Sequence, residues 1–491
     1  MQGENKHHMP GKAESYWIDS TPDTSYPMMK EDLKVDVAVL GGGIAGITTA
    51  VLLKRAGMKV AVVEAERIAK GVTAYTTSHT STAQSYYYKD LADRFGGEKA
   101  AMCAESCQNS IDMIGKLSKE YGIDCDYMRT DMYVFAPERG EHDRLKEEMD
   151  VEKRLGVPVT YVDRAPLPFD TFGALRYSNQ AKFHPRKYLL GLAEVVNGDG
   201  SFVFENTQAT DVHDGEPCKV KTSGGTITAR DVVVATHFPF PMKGLIFARM
   251  KPYRSYVLAM KADDEISDDM FYSTEQPCHY IRNHPTPDGQ LLIVGGEDHA
   301  VGHVTDTIER YKRLEKYCRE RFKIKSIEYS WSTQDNYTFD SVPFIGKISP
   351  ESKHEYVATG FKGTGMTYGT VSAMILADLI LDRPNRWASL YDPVRIKPQE
   401  IKEGLGAQLH IGKTFVEDRL KNRRTSPRSR MARQVLRWSA AKRHAFTGTK
   451  MEKSTRCLPP ANIWDATLSG TTPRSPGIVR ATDRGTIIRV S

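Results

Sequence analysis

The stretch from Gly41 to Glu64 carries the clearest chemistry in the chain. Gly41-x-Gly43-x-x-Gly46 follows an apolar, β-branched run, Val35 to Leu40, and opens a stretch of helical apolar spacing from Ala45 to Arg55. Gly57 ends that helix, Lys59 to Val63 forms a second strand, and Glu64 and Ala65 close it. The residue types suit a dinucleotide. Gly41 permits a tight turn, Gly43 lets backbone approach a pyrophosphate, and Gly46 lets helix and strand pack closely. Ile44 and Ala45 start the helix, so their N–H groups and the positive end of its dipole face the phosphates. Glu64, 18 residues after Gly46, is placed to accept hydrogen bonds from a ribose. A carboxylate there disfavours a 2′-phosphate, so FAD or NAD is expected rather than NADP. The glycine spacing alone also occurs in turns without a ligand; here strand, helix, second strand and acid all agree.

Three further stretches favour FAD. "ITARDVVVATHF" holds a strand, Asp231 to Ala235, ending at Thr236. "HEYVATGFKGTGMTYGTVSAMILADLIL" reads as a strand, a glycine-rich loop and a long helix. Gly360, Gly363 and Gly365 let that loop approach a ring, and Met366 and Thr367 begin a helix whose dipole stabilises negative charge. "FDSVPFIGKIS", Phe339 to Ser349, precedes it. Each stretch alone is equally compatible with ordinary strand–turn–helix architecture. The chain has no second G-x-G-x-x-G, which suggests that the substrate itself reduces the flavin.

Together these residues resemble the D-amino acid oxidase and glycine oxidase type of FAD-dependent oxidoreductase, over about Ser15 to Arg395. The order "GGGIAG", "FHPRKYLLGLAE", "VVVATH", "VATGFKGTGM" carries the likeness. "ESYWIDSTP", "GIDCDYMRTDMYVF", "RSYVLAM" and "LLIVGGEDH" look like a bacterial subgroup in which a Rieske iron–sulfur domain follows the flavin module. His237 departs from the pattern, since many relatives have Gly after Ala-Thr.

The resemblance implies an α/β fold: a Rossmann-like FAD-binding domain with an inserted antiparallel α+β substrate domain. The FAD domain would gather residues 35–90, 170–245 and 330–395 after an N-terminal segment, 1–34. Residues 91–169 and 246–329 would build the substrate domain, and 396–420 a linker. The likeness also implies that "GVTAYTTSHTSTA" runs beside the cofactor, where Thr73, Thr76 and Thr77 donate hydroxyl hydrogen bonds; a Thr-rich surface loop is the bland alternative. Its activity would be hydride transfer from an amine or amino acid to flavin. Oxidation of a non-amine substrate and a catalytically impaired FAD-binding remnant are the rivals. Relatives commonly hold a substrate carboxylate with an Arg fork, a role Arg282 could fill unless it is salt-bridged or solvated. Lys362 in the glycine-rich loop could assist oxygen or stabilise negative flavin, or be surface charge. His184 and Arg186 could touch substrate or cap a helix. The electron acceptor, oxygen or a redox partner, is open.

Composition divides the chain. Residues 421–491 hold 16 Lys/Arg against 3 Asp/Glu, a net of +13, whereas residues 1–420 hold 52 against 59, a net of −7. Such a shift marks a boundary or a basic arm. In frame, this tail lacks the Cys-x-His and Cys-x-x-His pairs a Rieske cluster needs; its Cys is Cys457 and its His is His444. If each codon is read from its third base, Pro460 to Ala466 permits Cys-x-His-Met-Gly-Cys and Ile478 to Gly485 permits Cys-Pro-Cys-His. The tail therefore reads as a frameshifted Rieske domain, disordered in this frame and holding no metal. Its charge is then a by-product of the frame rather than a selected patch, so no nucleic-acid partner is expected. Cys103 and Cys107, four apart on a helix, read as packing rather than a metal pair. The longest apolar run, Val371 to Leu381, is too short for a bilayer, and the polar N-terminus has no hydrophobic signal core. A cytoplasmic protein without membrane contact is the expectation.

Overall fold

The run Leu33–Leu40 forms a central strand of a sheet, buried on both faces from Val37 to Leu40 as an interior parallel strand is. The computed structural model describes residues 9–83, 87–240, 243–302 and 306–395, together with two short paired strands, Val479–Arg480 and Ile487–Ile488. The expected linker, and otherwise the expected disordered tail and frameshifted domain, lie outside the described residues.

The first sheet runs Phe344–Lys347, Glu355–Thr359, Gly225–Val234, Leu33–Leu40, Val60–Val63, Phe202–Phe204. All neighbours from Glu355–Thr359 onward pair in parallel. Helices Ile44–Arg55, Pro185–Val196 and Gly365–Ile380 cover one face. The hairpin Ala209–His213 and Cys218–Thr222 extends the sheet from Gly225–Val234. The apolar run at Val371 is thus a buried helix, as its pattern suggested.

The second sheet is antiparallel except where Met270–Ser273 meets Met128–Phe135. Its order is Ile324–Thr338, Met250–Ala262, Gly289–Ala300, Tyr280–Thr286, Met270–Ser273, Met128–Phe135, Ala174–Lys182, His79–Thr80. One face packs on helix Ile308–Arg321 through Tyr256, Leu258, Ile281 and Val294. The other carries Val257, Ala259 and Ile293 under Trp17, which is fully buried. Strand Ala174–Lys182 and all of Ile324–Thr338 belong to this second sheet, so sheet membership runs past the limits at 170 and 330 inferred from sequence.

Cys103 and Cys107 are buried on helix Gly97–Glu120, with Cys103 Sγ 3.4 Å from the Tyr368 hydroxyl. Among the described residues, no group of His, Cys, Asp and Glu is arranged to hold a metal, and no helix is long and apolar enough to cross a membrane.

Candidate active site

The parallel strands of the first sheet deliver their C-terminal ends to one edge, where open α/β sheets bind ligands. Gly41 sits there at φ 112°, and a Cβ on it would lie 2.4 Å from the Ala235 carbonyl oxygen. A Cβ on Gly46 would lie 2.0 Å from the Gly41 oxygen. Only glycine fits either place. Helix Ile44–Arg55 starts at Gly43 without a side-chain cap, and Thr73 Oγ1 accepts from Ile44 N at 3.2 Å. Ala45 follows in the open first turn. Glu64 accepts from Gly42 N at 2.8 Å and Glu66 N at 3.0 Å, with Ala65 between them. Burial pushes its carboxyl upward.

A second uncapped helix start lies beside the first. Helix Gly365–Ile380 begins after Thr364, whose side chain makes no cap. The two helices touch so closely that a Cβ on Gly369 would meet Ile44 Cγ2 at 2.6 Å and Ala45 N at 3.4 Å. A Cβ on Gly365 would meet nothing within 4 Å, so the space before this helix is open. Two positive dipole ends therefore converge on one edge. Thr367 Oγ1, in the first turn after Met366, reaches Ser81 O at 3.3 Å and ties this helix to the Thr-rich loop.

That loop is clamped from outside the nucleotide sheet. Trp17 Nε1 donates to Thr76 O at 2.7 Å, Trp331 Nε1 donates to Tyr75 O at 3.0 Å, and Ser15 Oγ donates to Ala74 O at 2.5 Å. Thr76 Oγ1 accepts from Ser78 N at 2.9 Å, and Thr77 Oγ1 lies 3.0 Å from His79 Nδ1. Burial depresses His79 to about 3, so its ring is neutral.

On the far side, Thr236 Oγ1 donates to Phe238 O at 2.8 Å, and His237 adopts φ 64°. The departure from Gly costs strain, and two bonds to its carbonyl, from Asn336 Nδ2 at 3.2 Å and Thr359 Oγ1 at 2.5 Å, hold the conformation. Gly360 and Gly363 take positive φ, and Lys362 between them does too, at 51°. Lys362 Nζ lies over the Tyr87 ring, 4.6 Å from its centre, and burial lowers its pKa to about 8. This lysine is not simple surface charge.

Arg282 is not the open fork its sequence setting suggested. It is fully buried; its Nε and Nη1 donate to main-chain carbonyls, Asn283 O at 3.0 Å, Ser78 O at 2.8 Å, Thr77 O and Phe183 O at 3.4 Å, and its Nη2 lies 3.3 Å from His284 Nδ1. It ties the substrate sheet to the Thr-rich loop. His184 caps helix Pro185–Val196 by accepting from Lys187 N at 3.2 Å, and Arg186 donates to Thr21 Oγ1 and Pro22 O. Both hold the N-terminal segment.

Sequence reasoning missed the Tyr280 face of the second sheet. Tyr280 and the Thr77 methyl both close on Gly295, where a Cβ would lie 2.4 Å from the Tyr280 ring and 3.0 Å from Thr77 Cγ2. The Tyr280 hydroxyl donates to Asp298 Oδ1 at 2.6 Å, and Asp335 Oδ2 accepts from Gly363 N at 2.7 Å. This face therefore spans from the Thr-rich loop to the glycine-rich loop.

FAD fits these residues. The glycine cradle, the acid at the second strand, two uncapped helix starts and the open space before Gly365 suit an adenine dinucleotide carrying a second ring system. Such a fold and edge are those of a flavin-dependent oxidoreductase. The chain belongs to the DAO family of FAD-dependent oxidoreductases, whose model matches residues 36–379. It is 35% identical over 393 residues to the putative Rieske 2Fe-2S iron-sulfur protein YhfW of Bacillus subtilis (strain 168), covering 80% of this chain and 77% of that protein. It is 24% identical to the gamma-glutamylputrescine oxidoreductase of Escherichia coli (strain K12), covering 72% and 85%. Its fold is similar to that of glycine oxidase from Geobacillus kaustophilus, with a TM-score of 0.61 at 18% identity over 74% of this chain and 100% of that one.

Proposed function

We propose that the chain oxidises a carbon–nitrogen bond of an amine or amino acid. When bound, FAD supplies a two-electron acceptor for the hydrogen on the carbon next to nitrogen. Gly43 to Gly46 would hold its pyrophosphate and Glu64 its adenosine ribose. Thr73, Thr76 and Thr77 would line one side of the group, with Thr236, Gly360, Gly363 and Gly365 to Thr367 on the other. The helix start at Gly365 and Lys362 place positive potential at the ring end of this edge. The tyrosine-bearing face of the second sheet presents the substrate. The observation that carries this reading is the convergence of the two uncapped helix starts through Gly369 and Ile44.

The test is anaerobic. Protein reconstituted with FAD should show flavin absorbance, and an amine or amino acid from a panel should bleach it. Flavin absorbance that no member bleaches overturns the reading.

The Rieske name of the Bacillus relative supports a one-electron iron–sulfur acceptor in the intact form, with residues 421–491 as its out-of-frame equivalent. In this frame the electrons pass to an external acceptor. Resequencing the gene around codon 421 tests this; an unchanged frame in independent isolates rules out a sequence error.

A further inference from the structure

The Tyr280 face of the second sheet carries an unusual set of partly exposed groups. Strict alternation along Gly289–Ala300 would put Glu297 beside Tyr280, because Gly295 pairs with Tyr280. A bulge intervenes: the register with Met250–Ala262 shifts between Arg254 and Tyr256, and Glu297 takes φ 57°. Glu297 then turns to helix Ile308–Arg321, where Arg310 donates to it at 3.1 Å. Asp298 turns the other way and meets the Tyr280 hydroxyl. Bulges re-aim side chains in this manner, often beside active sites.

A second carboxylate joins it. Asp335 pairs directly across from Tyr253, and the rings of Tyr253 and Tyr337 stack at 4.5 Å. Tyr253, Tyr280, Asp298, Asp335 and Tyr337 are all partly exposed, so they border open space. Yet both carboxyls lie deep enough that desolvation raises their pKa values, that of Asp298 to about 6. The charged and titratable groups acting on Asp298 are Tyr280, His279, Asp335 and Glu297. Among the described residues, no Lys or Arg forms a salt bridge with either carboxylate, and Arg282 is spent on carbonyls. Lys251 Nζ lies over the Tyr253 ring, 5.4 Å from its centre, but it forms no ion pair with either acid, so a carboxylate-bearing substrate would face two acids here.

Resting on the reading of this face as the substrate face, we propose that the substrate is an alkylamine without a carboxylate on the reacting carbon, its ammonium held by Asp298 and Asp335 among Tyr253, Tyr280 and Tyr337. Aromatic faces and carboxylates together recognise alkylammonium groups. The Asp298 oxygen not bonded to Tyr280 receives the ammonium proton: an O–H bond forms as the N–H bond breaks, and the electron pair stays on nitrogen.

The experiment uses the FAD-loaded protein without oxygen. n-Butylamine, 1,4-diaminobutane, glycine, D-alanine and sarcosine are titrated, following flavin absorbance and melting temperature. The amines should bind and bleach. In D298N their binding should weaken at least tenfold with FAD content unchanged, and D335N should move the same way. D335N and Y280F serve if D298N fails to fold. Glycine, D-alanine or sarcosine binding as tightly as the amines overturns this proposal but leaves amine or amino acid oxidation standing. Wild-type amine affinity in D298N, or in both substitutes, also overturns it. Bleaching by none of the probes overturns the reading on which it rests.

Discussion

Gly46→Ala tests the cofactor edge most directly. The added Cβ would lie 2.0 Å from the Gly41 carbonyl oxygen, whereas ordinary contact begins at 3.4 Å, and a backbone oxygen cannot swing aside as a side chain can. The helix start must therefore move by about 1.4 Å, or the turn at Gly41 must open. Overpacking of this kind costs about 1–3 kcal/mol. The cost falls on the residues that hold the pyrophosphate, so FAD affinity should drop about tenfold or more, each 1.4 kcal/mol being a factor of ten. Gly71→Ala is the control: it opens the Thr-rich loop with φ −81°, and its Cβ would meet nothing within 4 Å. FAD titration of apoprotein by fluorescence quenching reads the affinity, and thermal melting of the apoprotein separates it from a folding defect. Wild-type FAD affinity in Gly46→Ala, with an unchanged melting temperature, would refute the placement of the dinucleotide.

Glu64→Ala removes the acceptor of Gly42 N and Glu66 N; two N–H groups left without it should weaken FAD binding by about 1–3 kcal/mol in the same titration. Arg282→Met should lower stability by about 3 kcal/mol or more in urea unfolding, because buried carbonyls lose a charged donor; unchanged stability with a raised KM would restore the substrate fork. Lys362→Met reports through pH. Burial lowers the folded-state pKa to about 8 from 10.5, so the unfolded chain holds the extra proton between those values and wild-type stability rises with pH across that window. The variant lacks this rise, so its melting-temperature advantage at pH 7 should shrink towards pH 10; a gap independent of pH would show Lys362 to be solvated.

The nucleotide edge was legible because its parts are local. Strand, glycines, helix and acid occupy one contiguous stretch, and each residue type answers to a contact within it. The fate of Arg282 was not legible. Its type and its place on a strand fit a substrate fork, but its partners Thr77 O and Phe183 O lie 205 and 99 positions away in sequence. No spacing rule shows that a guanidinium will be consumed by carbonyls brought from a distant loop. The limit at 170 missed for a related reason. Nothing in the residue pattern of Ala174–Lys182 names its sheet; its pairing with Met128–Phe135, Val159–Val162 and His79–Thr80 assigns it to the second one.

Asp298 shows how one residue inserted in a ladder changes which side chain acts. In "GGEDH", period-two reasoning selects Glu297 for the Tyr280 face and sends Asp298 to the helix. The bulge exchanges them. Glutamate gains an ion pair with Arg310 on the covered side, which offsets the cost of its positive φ. Aspartate, one methylene shorter, lies within 2.6 Å of the Tyr280 hydroxyl without crossing to the facing loops. Beyond the bulge the pairing resumes, with Arg254 opposite His299 and Tyr253 opposite Ala300, and the Tyr253 ring stacks on Tyr337. The place of the acid on the tyrosine-bearing face thus has a backbone cause, absent from the residue pattern and created by pairing between strands.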